Sequence, residues 1–228
     1  MGPAPGADAM TDTYRNFYQA MAIRDGAAWL PPPVKGPAPV LFFIASHTGM
    51  KVKRAAVGDE GYVIDHYDAA AVQKFIREVA APELAAFGPN RPTAVFCDSL
   101  EIFNTDWSPR LLEEFKRRRG YDLTPNLPAL VTDVGAKTAE IRRDWGRTLT
   151  ELFTEHFVAP IQDWAAAHGT QFRIQAYGTP PAALFTYASA GLPEGEGAGW
   201  RGFGSLRLAS SASHLLGRPV TSSETWTW

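Results

Sequence analysis

Thr93-Ala94-Val95-Phe96-Cys97-Asp98-Ser99-Leu100-Glu101 is the stretch that decides the fold. A short apolar run with no polar alternation passes straight into two acids. That is the pattern of a strand covered on both faces whose carboxyl end carries polar side chains. The pattern recurs in Phe172-Arg173-Ile174-Gln175-Ala176-Tyr177 and in Val220-Thr221-Ser222-Ser223-Glu224. Val40-Leu41-Phe42-Phe43-Ile44 predicts a further buried strand, and residues 50–64 one or two weaker ones. Between the strands the period changes to that of helices. Asp68 caps a helix carrying Val72, Phe75, Ile76 and Val79, which Pro82 interrupts or ends. Ser108-Pro109 opens a second helix, closed by Gly120. A long helical stretch over about 140–168 is kinked or split at Pro160. Helical pieces are also predicted near 14–21, 182–187 and 206–216. Residues 193–197, rich in glycine and acid, read as a lid or surface turn. Strands alternating with helices predict a parallel α/β sheet.

The composition fits that reading. Of 228 residues, 45% are hydrophobic, enough for a core, and the net charge of −2 offers no basic excess for nucleic acid. No apolar run approaches the ~20 residues of a membrane span, and residues 1–10 lack a signal-peptide pattern. The single Cys97 excludes an internal disulfide and a cysteine-built metal site. Residues 1–38 form a Pro/Gly-rich N-terminal segment, and 39–228 the folded domain.

In parallel α/β folds, ligands sit at the carboxyl ends of the strands. Glu101 and Glu224, 123 residues apart, stand at two such ends, and two carboxylates in one pocket suit glycosidic hydrolysis. Trp107, Trp200, Trp226 and Trp228 flank the acidic segments and suit sugar faces, although tryptophan also simply packs cores. Arg173 and Gln175 share one face of their strand. They either donate to sugar hydroxyls or form a polar layer that holds the sheet together. Cys97 reads as a small buried hydrophobe rather than a nucleophile. His47 and His214 read equally as substrate contacts or as structural hydrogen-bonding groups. No histidine spacing suits zinc, and no EF-hand is present.

Five segments in order resemble family 106 glycoside hydrolases, the α-L-rhamnosidases. They are 97–122, with its Cys-Asp-Ser-Leu-Glu start and Trp107, then Arg173-Ile174-Gln175-Ala176-Tyr177-Gly178, Leu192-Pro193-Glu194-Gly195-Glu196-Gly197, Ala209-Ser210-Ser211-Ala212-Ser213-His214, and Val220-Thr221-Ser222-Ser223-Glu224-Thr225. The resemblance runs from about Thr48 to Trp228. It implies a (β/α)8 barrel of the TIM type, here incomplete with about five to six β-α units. It also implies inverting hydrolysis of terminal α-L-rhamnosides in plant or bacterial glycans, a calcium ion near the site, and a periplasmic or secreted location. Carried onto this sequence, it makes Glu101 and Glu224 the catalytic pair, with acid and base unassigned between them, and Glu194 a further site acid. Asp98, Trp107, Arg173, Gln175, Tyr177, His214 and Trp226 are the other candidate substrate contacts, and Glu194 and Asn104 the candidate calcium ligands. Gly191 departs from the family pattern, which predicts an acid there. Two alternatives stand beside this reading: a barrel glycosidase of other specificity, such as a retaining β-galactosidase-like enzyme, and a non-catalytic carbohydrate-binding fragment.

Overall fold

The computed structural model describes residues 23–24, 27–28, 41–53, 55, 58, 61–179, 182–196 and 207–225. The chain divides into two compact units, one of Met1–Ser46 with Pro109–Thr148, the other of His47–Ser108 with Leu149–Trp228.

In the first unit, β1 (Ile23–Arg24) and β2 (Ala27–Ala28) pair antiparallel. The helix Leu111–Arg119 follows Arg110, not Ser108, and ends at Gly120, whose φ of +82° and N–H to the Lys116 carbonyl (2.9 Å) close it. Leu111, Phe115, Leu123 and Ala129 are fully buried. Glu114 accepts from Arg117 (2.6 Å) and Arg118 (3.2 Å). Burial pushes the Glu114 carboxyl up, but these partners outweigh it and hold it below its ordinary value. Residues 41–44, expected as a buried strand, are exposed instead, Phe42 at 68% and Ile44 at 83%. An apolar run becomes a strand only where a neighbour takes up its backbone groups, and among the described residues no strand pairs with it. The helix expected near 14–21 lies outside the described residues.

In the second unit the helix Ala69–Phe75 starts at Asp68, whose carboxylate accepts from the Ala70 N–H at 3.0 Å. It widens into a π turn, Ile76–Ala80, then resumes as Ala81–Ala86 with Pro82 in its first turn. The long helix, whose residues up to Thr148 belong to the first unit, repeats the device: Thr138–Phe153, a π turn at Thr154–Val158, then Ala159–Ala167 with Pro160 in its first turn. Proline has no N–H and crowds the carbonyl four residues back, so one wider turn lets each helix pass its proline.

The sheet runs β3 (Val95–Cys97), β5 (Phe172–Ile174), β7 (Leu192–Glu196), β8 (Ser222–Glu224), all parallel, each beside the next in chain order. Two shorter strands, β4 (Leu100–Glu101) and β6 (Gly178–Thr179), pair parallel beyond β3 and β5. A 3-10 helix, Leu184–Ser189, joins β5 to β7, and the helix Leu208–Leu215 joins β7 to β8. Arg218 donates to the carbonyls of Ala188 (3.0 Å) and Ala190 (2.5 Å), satisfying the end of the 3-10 turn. The parallel α/β class is therefore present. The described sheet has four strands, fewer than the five to six β-α units expected, and it is open.

Three local expectations change. β3 is an edge strand with Phe96 45% exposed, not a strand buried on both faces. The acidic, glycine-containing run at 193–197 is largely the interior strand β7, with Pro193, Glu194 and Gly195 buried. Its neighbours β5 and β8 supply partners on both sides, which outweighs its turn-like composition. Among the described residues of 50–64, a single antiparallel bridge forms, Lys51 with Tyr62.

One face of β5 is apolar: Phe172 and Ile174 are buried, and Phe172 meets Phe157 edge-on at 6.1 Å. The opposite face, carrying Arg173, is polar. No helix among the described residues is long and apolar enough to cross a membrane.

Candidate active site

Strand register builds the site. Glu194 of β7 stands beside Ser222 of β8, and Glu196 beside Glu224. Residues two apart on a strand share a face, so these four side chains lie together on the sheet. On β5, Arg173 and the following Gln175 reach the same place. The Gln175 amide nitrogen donates to Glu194 Oε1 at 3.2 Å and to Glu224 Oε2 at 2.7 Å. The Tyr177 hydroxyl bridges Gln175 Oε1 and Glu196 Oε2, the latter at 2.9 Å. Ser222 donates to Glu194 Oε2, and Arg173 Nε lies 3.1 Å from the same oxygen. The Arg173 guanidinium also stacks on the Phe96 ring at 4.2 Å.

Tyr187 ties this face to the fold. Its hydroxyl donates to the Glu194 carbonyl (2.7 Å) and accepts from the Ala176 N–H (3.1 Å), which fixes β7 against the segment carrying Gln175 and Tyr177. Burial, with the charge of Glu194 adding to it, pushes the Tyr187 phenol well above its ordinary value, so it stays a donor.

Glu101 is held differently. It ends β4, which pairs parallel with β6, as Glu224 ends β8 in the four-stranded sheet. Its Oε2 pairs with Lys53 Nζ at 2.5 Å, with both side chains about half exposed or more. Gly178 makes that placement possible. Its φ is +107°, and a Cβ there would overlap the Leu100 carbonyl oxygen, so only glycine lets β4 and β6 approach. Downstream, the segment bearing Trp107 is pinned at two points: Tyr67 donates to the Thr105 carbonyl (2.8 Å), and Ser108 to Asp65 Oδ2 (2.9 Å). Burial raises the Asp65 carboxyl above its ordinary value, against the lowering effect of the Tyr67 backbone N–H (2.9 Å) and the Ser108 hydroxyl.

The structure thus joins Arg173, Gln175, Tyr177, Glu194 and Glu224 in one network. Asp98 is exposed, with Oδ1 accepting from the Ser99 N–H at 2.6 Å. Asn104 sits at a turn with φ of +60°, and Trp107 is partly buried. His214 is exposed on the helix 208–215. Trp200, Trp226 and Trp228 lie outside the described residues. Ser222 has no counterpart among the expected site residues, and Glu196, ranked behind Glu194 in the sequence, is a bonded member of the network. The i,i+2 spacing of Glu194 and Glu196 was the available signal. Gly191 lies at the amino end of β7, against Gln162 and Gln171, so the acid expected there bears on the opposite end of the strand from these carboxylates. The thiol of Cys97 is pushed up to about 12 by burial and the nearby Asp98 charge, as expected of an inert cysteine.

A parallel α/β sheet with acids and hydrogen-bonding polar groups gathered at its strand ends is the framework of many sugar-processing enzymes. The sequence model of glycoside hydrolase family 106, described as alpha-L-rhamnosidase, matches residues 19–228, and the chain belongs to that family. The match starts well before Thr48, so part of the N-terminal segment shares it. A protein of Formosa agariphila that carries the provisional name beta-glucuronidase is 27% identical over 188 residues, 79% of this chain and 16% of its own length. The solved rhamnosidase from Novosphingobium sp. PP1Y superposes with a TM-score of 0.66 at 25% identity, over 78% of this chain and 19% of its own. The chain therefore spans less than a fifth of either relative.

Calcium takes six to eight oxygen ligands. Both Glu194 oxygens are already met by donors, and among the described residues no three acidic, His or Cys side chains are placed to hold one metal ion. The described residues do not form a calcium cage, and no step below runs through the ion.

Proposed function

We propose that this chain carries the catalytic carboxylates of an inverting α-L-rhamnosidase, on one wall of a (β/α)8 barrel. Family membership supports the class, and the position of Glu101 and Glu224 each at the carboxyl end of a parallel strand supports the pairing. In the reaction one of the two donates a proton to the glycosidic oxygen. The other takes a proton from a water that attacks the anomeric carbon from the opposite face. The bond to the leaving oxygen breaks as the new C–O bond forms, and the anomer inverts.

The rival sugar is a glucuronide, after the name of the Formosa relative. Three carboxyl groups, Glu194, Glu196 and Glu224, join one hydrogen-bonded network through Gln175 and Tyr177, and Arg173 pairs with Glu194 within it. A uronate would bring a further negative charge into this cluster, and that repulsion favours a neutral sugar. The test is turnover of an aryl α-L-rhamnoside against an aryl β-D-glucuronide, with the product anomer followed by proton NMR. The rhamnoside should be cleaved and the β-anomer appear first. Cleavage of the glucuronide alone, or the α-anomer first, would refute the reading.

A further inference from the structure

We propose that Gln175 and Tyr177 are positioning residues for Glu224, not contacts to the sugar; this rests on the catalytic role given to Glu224 above. Gln175 has no accessible surface, so nothing arriving from solvent touches it. Its bonding capacity is also committed: the amide nitrogen has two protons, one on Glu194 and one on Glu224, while its carbonyl oxygen meets the Tyr177 hydroxyl. That hydroxyl has one proton for two acceptors, Gln175 Oε1 and Glu196 Oε2, so the two carboxylates facing the amide nitrogen decide which way the amide points. Flipped, Gln175 would turn its carbonyl oxygen toward two carboxylates and its N–H toward Tyr177, losing two charge-assisted bonds. Glu194 is anchored in turn by Arg173 and Ser222, and its own exposure is 2%. The fixed buried carboxylate therefore sets the amide, and the amide sets the carboxylate at the strand end. Polar networks of this kind fix geometry through their matched members, here the two bonds from the Gln175 amide nitrogen. Glu196 and Ser222 join the same device, one holding Tyr177 and the other holding Glu194.

A positioning residue lowers kcat and leaves KM nearly unchanged, whereas a sugar contact raises KM. In Gln175→Leu, kcat on the aryl rhamnoside should fall ~10²-fold, the scale of a misplaced catalytic group. Because Gln175→Leu strips Glu194 of a partner and risks misfolding, Tyr177→Phe is the gentler variant. It removes one hydrogen bond and should lower kcat about 2- to 10-fold with KM within about 2-fold. Proton and carbon-13 NMR supply readouts independent of turnover. The Gln175 side-chain amide should be protected from solvent exchange in the wild-type chain and less so in Tyr177→Phe, and the Glu224 carboxyl resonance should shift in the same variant. If the wild-type chain cleaves no rhamnoside, the functional reading fails, and these NMR signals alone decide the positioning claim. An unprotected amide, an unmoved Glu224 signal, or a rise in KM at constant kcat would overturn it.

Discussion

Glu194 and Glu101 are both acids on parallel strands, one in the four-stranded sheet and one in the two-stranded β4–β6 pair, and they are held in opposite ways. Glu194 is buried, met at both oxygens by Gln175, Ser222 and Arg173, and tied through its backbone to Tyr187. Glu101 is 47% exposed and pairs with one surface lysine. The first arrangement resists change because unpairing any member leaves a buried polar group unsatisfied. The second is open to water and salt, so its partner contributes orientation more than stability. A site can thus keep one acid rigid from within and leave another accessible at its rim.

The contrast can be broken at its hinge. Gly178→Ala places a methyl on the Leu100 carbonyl oxygen and forces an unfavourable φ. It should cost at least ~3 kcal/mol in a urea titration and displace Glu101, with loss of turnover. A retained midpoint would mean that β4 and β6 do not approach this closely. Removing the interior acid should rank next. Glu194→Ala strands Arg173 and Gln175, with an expected loss on the order of 3 kcal/mol, discounted because Arg173 is about a third exposed.

His66 sharpens the comparison as an interior group with an unmatched ring nitrogen. Its Nδ1 is buried without a partner, and it packs 4.5 Å from the Phe157 ring. Burial lowers its pKa to about 4, a backbone hydrogen bond at Ile64 offsetting part of the effect. The folded value lies below the unfolded one near 6.5, so the unfolded state takes up the proton first. Stability should be greatest above pH ~6.5 and decline by about 3 kcal/mol as pH falls toward 4. His66→Leu should flatten that slope in chemical denaturation at several pH values. The smallest effect belongs to the rim. Lys53→Ala should cost under ~1 kcal/mol and change turnover in a salt-dependent way, whereas a large stability loss would show that the pair is not a surface one.

Much of this was legible in the sequence. Val95–Cys97, Phe172–Ile174 and Ser222–Glu224 announce themselves by apolar or β-prone runs ending in polar residues. Asp68, Gly120, Pro82 and Pro160 mark their helices because capping and proline sterics are local. Two segments misled in opposite directions. Residues 41–44 have a strand's composition without a strand's neighbour, and Leu192–Glu196 has a turn's composition with neighbours on both sides. Pairing is a property of the sheet, and single-chain composition does not encode it. The same holds for the site. Acids at strand ends were visible, but the register that sets Glu194 beside Ser222 and Glu196 beside Glu224 is fixed only on folding. The Lys53–Glu101 pair spans 48 residues with no local signal.

The account stands on Glu101 and Glu224 acting together, and turnover of an aryl α-L-rhamnoside by the wild-type chain, Glu101→Gln and Glu224→Gln tests that directly. Each substitution should lower kcat by about 10²–10⁴-fold while thermal unfolding stays near the wild type. Undiminished turnover in either variant would contradict the pairing.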